Sequence, residues 1–123
     1  MEKINVLDKY PVIVVKMQKD GLTMEKIIEN LKTKIESDPI ATFIDVFDHY
    51  AHTKSINWEI SDQVKDAKIL LFCFGKAIAK PEILAVRPRN LVVVETENEF
   101  IFEWLEAPQQ PANEKIAWWV NSL

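Results

Sequence analysis

The residues best suited to chemistry lie in one short stretch, Asp48-His49-Tyr50-Ala51-His52. If this stretch is helical, His49 and His52 lie three residues apart on one face and can reach a common metal ion. Asp45 or Asp48 would supply a third ligand, and such a set suits zinc, nickel or iron. The alternative is structural: Asp48 caps the turn and His49 makes a hydrogen bond within it. Because no other segment offers ligands, the sequence favours this alternative and predicts no metal or other cofactor.

A second candidate is the segment 75–90, which contains both arginines of the protein, Arg87 and Arg89. The planar guanidinium group suits a carboxylate or phosphate, and a helix beginning near Pro81 would attract negative charge. The predicted ligand is therefore a small anion, provided that this segment and the Asp48 turn share a pocket. The alternative is a solvated loop whose arginines pair with the glutamates of the following hairpin. The predicted ligand-binding residues are Asp48, His49, Lys76, Arg87 and Arg89.

Other reactive or aromatic side chains indicate structural roles. Cys73 lies inside the apolar run Ile69–Phe74 and is predicted to be buried and inert. Trp104, Trp118 and Trp119 lack interleaved basic residues, so we expect them to cover the sheet rather than to stack on nucleobases. Trp118 falls off the apolar stripe of its helix, which favours a place at an interface. No serine stands in a nucleophile-elbow context, so catalytic residues stay unknown.

Composition limits the location and the partners. The chain has 123 residues, which predicts one domain over residues 1–123, and its net charge of −4 argues against a nucleic-acid partner. Two glycines are too few for a glycine-rich phosphate loop. The single cysteine and the polar N-terminal segment predict a reducing, cytoplasmic location. The longest apolar runs are too short to span a bilayer, so no membrane association is expected.

Hydrophobic periodicity predicts an α+β domain with a mostly antiparallel sheet. The predicted strands cover residues 11–17, 40–47, 69–74, 91–95 and 100–105. The predicted helices cover residues 24–37, 48–54, 80–86 and a C-terminal segment capped by Asn113. The strand at 69–74 is apolar at successive positions, which is typical of a central strand covered on both faces. The expected architecture is a two-layer sandwich with helices on one face and the order β-α-β(4)-α.

Residues 47–108, about half of the chain, contain three further motifs: an Asp-His pair that closes a strand, an apolar strand that ends in Phe74-Gly75, and the exit Leu105-Glu106-Ala107-Pro108. In these motifs the chain resembles a bacterial family called domain-of-unknown-function 302. The resemblance implies a β-α-β(4)-α topology like that of the TATA-binding protein. One departure concerns the loop after Gly75, which reads Lys76-Ala77-Ile78-Ala79 where the family usually has Asn-Pro and a Gly-Thr pair. The family has no settled biochemistry, so the resemblance concerns the fold.

Three functions are compatible with these observations. The leading hypothesis is a non-catalytic domain that binds a small, anionic ligand or a protein partner and forms a homodimer. The second is a metal-dependent or acid–base enzyme that uses the Asp48-His49-His52 turn. The third is a structural or regulatory interaction module.

Overall fold

A computed structural model describes residues 1–123, and its six strands form one antiparallel sheet. The spatial order of the strands is β1-β2-β6-β5-β4-β3. Their bounds are β1 Glu2–Val6, β2 Tyr10–Gln18, β3 Ala41–Phe47, β4 Asp66–Phe74, β5 Arg89–Glu95 and β6 Glu99–Leu105. The predicted α+β class and the β5–β6 hairpin are therefore confirmed.

Three α-helices and one 3-10 helix connect or follow these strands. The bounds are α1 Met24–Ser37, α2 His49–Ser55, the 3-10 helix Pro81–Val86 and α3 Gln110–Asn121. Helix α1 begins where its sequence predicts, because the Thr23 side chain accepts a hydrogen bond from the Lys26 amide at 3.2 Å. None of these helices combines the length and the apolar character needed to cross a membrane.

Strand β1 was not predicted. Its sequence, Glu2-Lys3-Ile4-Asn5-Val6, has no β-branched run, and every residue in it is exposed. It forms because Leu7 and Asp8 adopt positive φ angles of 54° and 60° and return the chain to pair with β2. The chain therefore begins with a hairpin, and the predicted order β-α-β(4)-α is not confirmed.

The core joins α1 and α3 to alternate side chains of the central strands. On β4, Leu70 and Phe72 are fully buried, whereas Ile69, Leu71 and Cys73 on the opposite face are only half-buried. The prediction that this strand is covered on both faces is thus wrong for the face that carries Ile69, Leu71 and Cys73. Cys73, predicted to be buried, is half-buried for the same reason.

Helix α3 begins before the residue predicted to cap it. Gln109 is the N-cap and Pro111 occupies the first turn, where its missing N–H group leaves no hydrogen bond unmade. Asn113 lies inside the helix and is 1% exposed. Its amide group therefore serves a buried network, described below, rather than the helix terminus.

Candidate functional site

The Asp48 turn lies at the end of β3. Asp48 caps α2, since its Oδ1 accepts a hydrogen bond from the Ala51 amide at 3.0 Å. Its Oδ2 accepts from the ammonium group of Lys68 on β4 at 2.6 Å. The hydrogen bond from Lys68, followed by that from Ala51, holds the pKa of Asp48 below its usual range. Both carboxylate oxygens are therefore engaged in holding the turn.

The two histidines pack around one aromatic ring. The rings of His49 and His52 lie 5.1 Å and 5.4 Å from that of Phe47, measured between centroids. His49 Nδ1 is 3.0 Å from the hydroxyl oxygen of Thr53, one helical turn further on. No three His, Cys, Asp or Glu side chains come together in an arrangement able to hold a metal ion. The turn thus has the capping and hydrogen-bonding geometry of the structural alternative.

The structure places the two predicted ligand-binding segments at opposite ends of the sheet. Phe47, next to the Asp48 turn, pairs with Ile69, whereas Arg87 bonds to the carbonyl of Phe74. Phe74 lies five positions after Ile69 on the extended strand β4, which corresponds to about 17 Å. Asp48 and His49 therefore do not share a pocket with the arginines.

Arg87 closes the loop that follows β4. Its guanidinium group donates hydrogen bonds to the carbonyl oxygens of Ala77 at 2.7 Å and Phe74 at 3.1 Å. Gly75 has a φ angle of +84°, and a Cβ atom there would lie 3.2 Å from Arg87 Nη2. A glycine at position 75 therefore provides both the backbone turn and the room for the arginine.

Arg89 is the first residue of β5 and has no acidic partner. Its Nη2 donates to the carbonyl oxygen of Leu105 at 2.6 Å, while its Nε is buried without a hydrogen-bond partner. Burial lowers the pKa of Arg89 below its usual value. The four ion pairs of the protein all use lysines, so the alternative in which arginines pair with hairpin glutamates is wrong.

Arg89 lines a small pocket at this end of the sheet. The pocket has a volume of about 230 Å³ and opens between the 3-10 helix and the first turn of α3. Its lining is mostly apolar and comprises Phe74, Ile83, Val86, Arg87, Arg89, Ala107, Pro108, Gln109 and Ala112. The positive end of the α3 dipole therefore lies at the same site as the two arginines. Lys76 is exposed and does not line this pocket.

Asn113 holds the wall of this pocket in place. Its Oδ1 accepts hydrogen bonds from the Ala107 amide at 2.8 Å and from Trp104 Nε1 at 3.2 Å, and its Nδ2 donates to the Ala107 carbonyl at 3.2 Å. Asn113 was predicted to be a helix cap, and this role was not predicted. A signal was present, since Asn113 is in register with the apolar stripe of Ile116 and Val120.

Glu103 is a second residue whose environment was not predicted from the sequence. It lies on β6 and forms neither a hydrogen bond nor an ion pair through its side chain, although it is half-buried. Burial raises the pKa of its carboxyl group. Its position between Phe102 and Trp104, both in the core, places it on the opposite face of the sheet.

Comparison with protein families assigns the whole chain to one of them. Residues 1–123 match the model described as "Family of unknown function (DUF6858)", so the chain belongs to that family. The resemblance to domain-of-unknown-function 302, and the TATA-binding-protein-like fold that it implies, are not confirmed. No curated protein and no solved structure matches the chain.

Proposed function

For this member of the family, we propose a non-catalytic domain that binds a small organic carboxylate in the pocket beside Arg89. The carboxylate of the ligand contacts the guanidinium group, and its apolar part fills the space between the 3-10 helix and α3. Asp48, His49 and Lys76 are not part of this site. Of the residues predicted to bind a ligand, Arg87 and Arg89 remain.

The observation that carries the proposal is the unpaired charge of Arg89. Arg89 is half-buried, its Nε is buried without a hydrogen-bond partner, and no carboxylate of the protein pairs with it. Removing a charged group from water is costly unless the group is paired and hydrogen-bonded. A ligand carboxylate beside the guanidinium group removes that cost. The N-terminal turn of α3 contributes further, since the partial positive charge of a helix N-terminus favours anions.

The size and lining of the pocket define the class of ligand. An apolar cavity of about 150 Å³ accommodates benzene, so a pocket of 230 Å³ has room for a body of that size with one charged group. Larger metabolites need more space, because typical ligand sites measure roughly 300–1,000 Å³. Benzoate and butyrate are therefore suitable probes, whereas inorganic phosphate lacks the apolar part.

The enzyme hypothesis has weaker support. Asp48 uses both carboxylate oxygens to hold α2 and Lys68, and His49 bonds to Thr53, which leaves these groups poorly placed for acid–base work. The interaction-module hypothesis concerns a different surface and is taken up in the next subsection. A cytoplasmic location stays a proposal, based on the single cysteine.

Thermal unfolding in the presence of the probes tests the proposal. Benzoate should raise the melting temperature saturably, because a ligand at 100 times its Kd stabilises the folded state by about 2.7 kcal/mol. Benzamide, of nearly the same shape but uncharged, should have little effect. Arg89→Gln should abolish the response to benzoate, and Ala112→Leu should do so by filling the pocket from another wall.

Lys80→Gln is the matched control, because Lys80 is exposed and outside the pocket and the change also removes one positive charge. This variant should respond to benzoate like the wild type. The proposal fails if neither benzoate nor butyrate shifts the wild type. It also fails if folded Arg89→Gln and Ala112→Leu both respond like the wild type.

A further inference from the structure

The face of the sheet opposite to the core carries an apolar surface, here called the open face. Register places its side chains in rows across the strands: Ile4 pairs with Val12, Val12 with Leu105, and Ile69 with Val92. None of these residues belongs to the buried core, and Ile4 and Leu105 are each 44% exposed. The residues that define the open face are Ile4, Val12, Ile69, Leu71, Val92 and Leu105.

The protein exposes more surface than its mass requires. A monomeric protein of 14.3 kDa is expected to expose about 6,800 Å², whereas this chain exposes 8034 Å². The excess is roughly 1,200 Å² by the same relation. A standard interface buries about 800 Å² on each partner, so the excess is sufficient for a stable dimer.

Two residues of opposite charge on the open face, Glu103 and Lys16, can pair with the same residues of a second copy. Glu103 lies at its centre, paired in register with Val14 on one side and Val92 on the other. Lys16 lies on the same face, paired in register with Ile101, which is two residues from Glu103 on β6. Neither charged residue forms an ion pair within the chain. Register also places Glu2 and Glu99 on this face, opposite Val14 and Gln18, and neither forms an ion pair within the chain. The face thus contains three unpaired carboxylates and the unpaired ammonium group of Lys16.

We propose that the open face binds a second copy of this chain, with Glu103 of each copy against Lys16 of the other. A two-fold axis in the plane of the interface, midway between the two residues and perpendicular to the line joining them, produces both contacts at once. The apolar residues of the two faces then pack against each other, as in a sandwich of two sheets.

A charge-exchange series tests the inference. The association of the wild type is measured by sedimentation equilibrium over a range of protein concentrations. Glu103→Lys and Lys16→Glu should each weaken dimerisation roughly tenfold or more, because each places like charges together across the interface. The double variant Glu103→Lys/Lys16→Glu should recover most of the wild-type affinity, a recovery that no general damage to the fold explains.

Two controls give the measurement its specificity. Glu29→Lys makes the same charge change on an exposed position of α1 and should leave dimerisation unchanged. Trp118→Ala tests a different interface, since Trp118 is 60% exposed on α3. The inference is overturned if the wild type stays monomeric, if Trp118→Ala alone dissociates the dimer, or if the double variant is no better than the single ones. These outcomes are independent of benzoate binding, which takes place in the pocket beside Arg89.

Discussion

The two ends of the sheet differ in how completely their charged groups are paired. At the Asp48 turn, the carboxylate caps a helix and pairs with Lys68, and each oxygen has a partner. At the opposite end, Arg89 is partly buried, has no acidic partner and leaves Nε without a hydrogen bond. Both segments were predicted to bind a ligand because they contain reactive residue types. The two segments differ in pairing: the first is a structural turn whose carboxylate is fully engaged, and the second keeps a buried guanidinium nitrogen without a hydrogen-bond partner.

The two ends also differ in the elements from which they are built. Asp48, Ala51 and Lys68 form a local arrangement that needs only the end of β3 and one neighbouring strand. The pocket requires β5, the exit of β6, the 3-10 helix and α3, and it depends on the buried network of Asn113. Substitutions at the two ends should therefore differ in how much unfolding free energy they remove and in their effect on ligand binding.

The largest effect is expected for Asn113→Ala. This change leaves Trp104 Nε1 and the backbone groups of Ala107 without partners in a buried site, which costs on the order of 3 kcal/mol. Unfolding in urea, followed by circular dichroism, measures the loss. The response to benzoate should decline as well, because Ala107 forms part of the pocket wall.

Gln110→Ala is the control for this prediction. Gln110 is exposed and accepts only one hydrogen bond from Asn113, at 3.3 Å, so its removal should cost less than about 1 kcal/mol. Equal losses of unfolding free energy in the two variants would show that the Asn113 network does not stabilise this end of the sheet.

A smaller effect is expected for Asp48→Ala. Loss of an N-cap costs about 1 kcal/mol, and the partly exposed pair with Lys68 adds little. The folded state holds the pKa of Asp48 below 3.8, the ordinary value, chiefly through the Lys68 hydrogen bond. Its contribution is therefore complete above that value and is lost as pH falls through the lower, folded-state pKa.

Urea titrations of the wild type and Asp48→Ala at pH 7 and near pH 2.5 measure this dependence. The difference in unfolding free energy should be present at pH 7 and should shrink at the lower pH. A difference that stays constant or grows under acid would contradict the assigned role of the carboxylate. Asp48→Ala should leave the response to benzoate unchanged, because Asp48 does not line the pocket.

The smallest effect is expected for His49→Ala. This residue is exposed, makes one hydrogen bond to Thr53 and lies near the ring of Phe47. Its removal should change the unfolding free energy by less than about 0.5 kcal/mol. Elemental analysis should find the same, sub-stoichiometric metal content in this variant and in the wild type. Roughly one metal ion per chain, lost in the variant, would instead revive the enzyme hypothesis.

Much of the local structure could be predicted from the sequence. The stripe of Met24, Ile27, Leu31 and Ile35 predicted α1 and its buried face, and Asp48 was recognised as a possible cap. These predictions succeed because helix periodicity and capping depend on residues within a few positions of one another. Strand β1 was missed because its local sequence has a weak strand signal. It forms because it pairs with β2, which follows it in the chain.

The candidate site depended on contacts between distant parts of the chain. Residue types and their spacing were sufficient to establish the fold class, the presence of two arginines in segment 75–90 and the apolar character of the strands. The packing of the strands and helices placed Arg89 beside α3, placed the Asp48 turn at the opposite end of the sheet, and left Glu103 unpaired on the open face. The physical reason is that residue types fix what a group can bind, whereas the packing of β5, β6 and α3 decides whether that group is already paired.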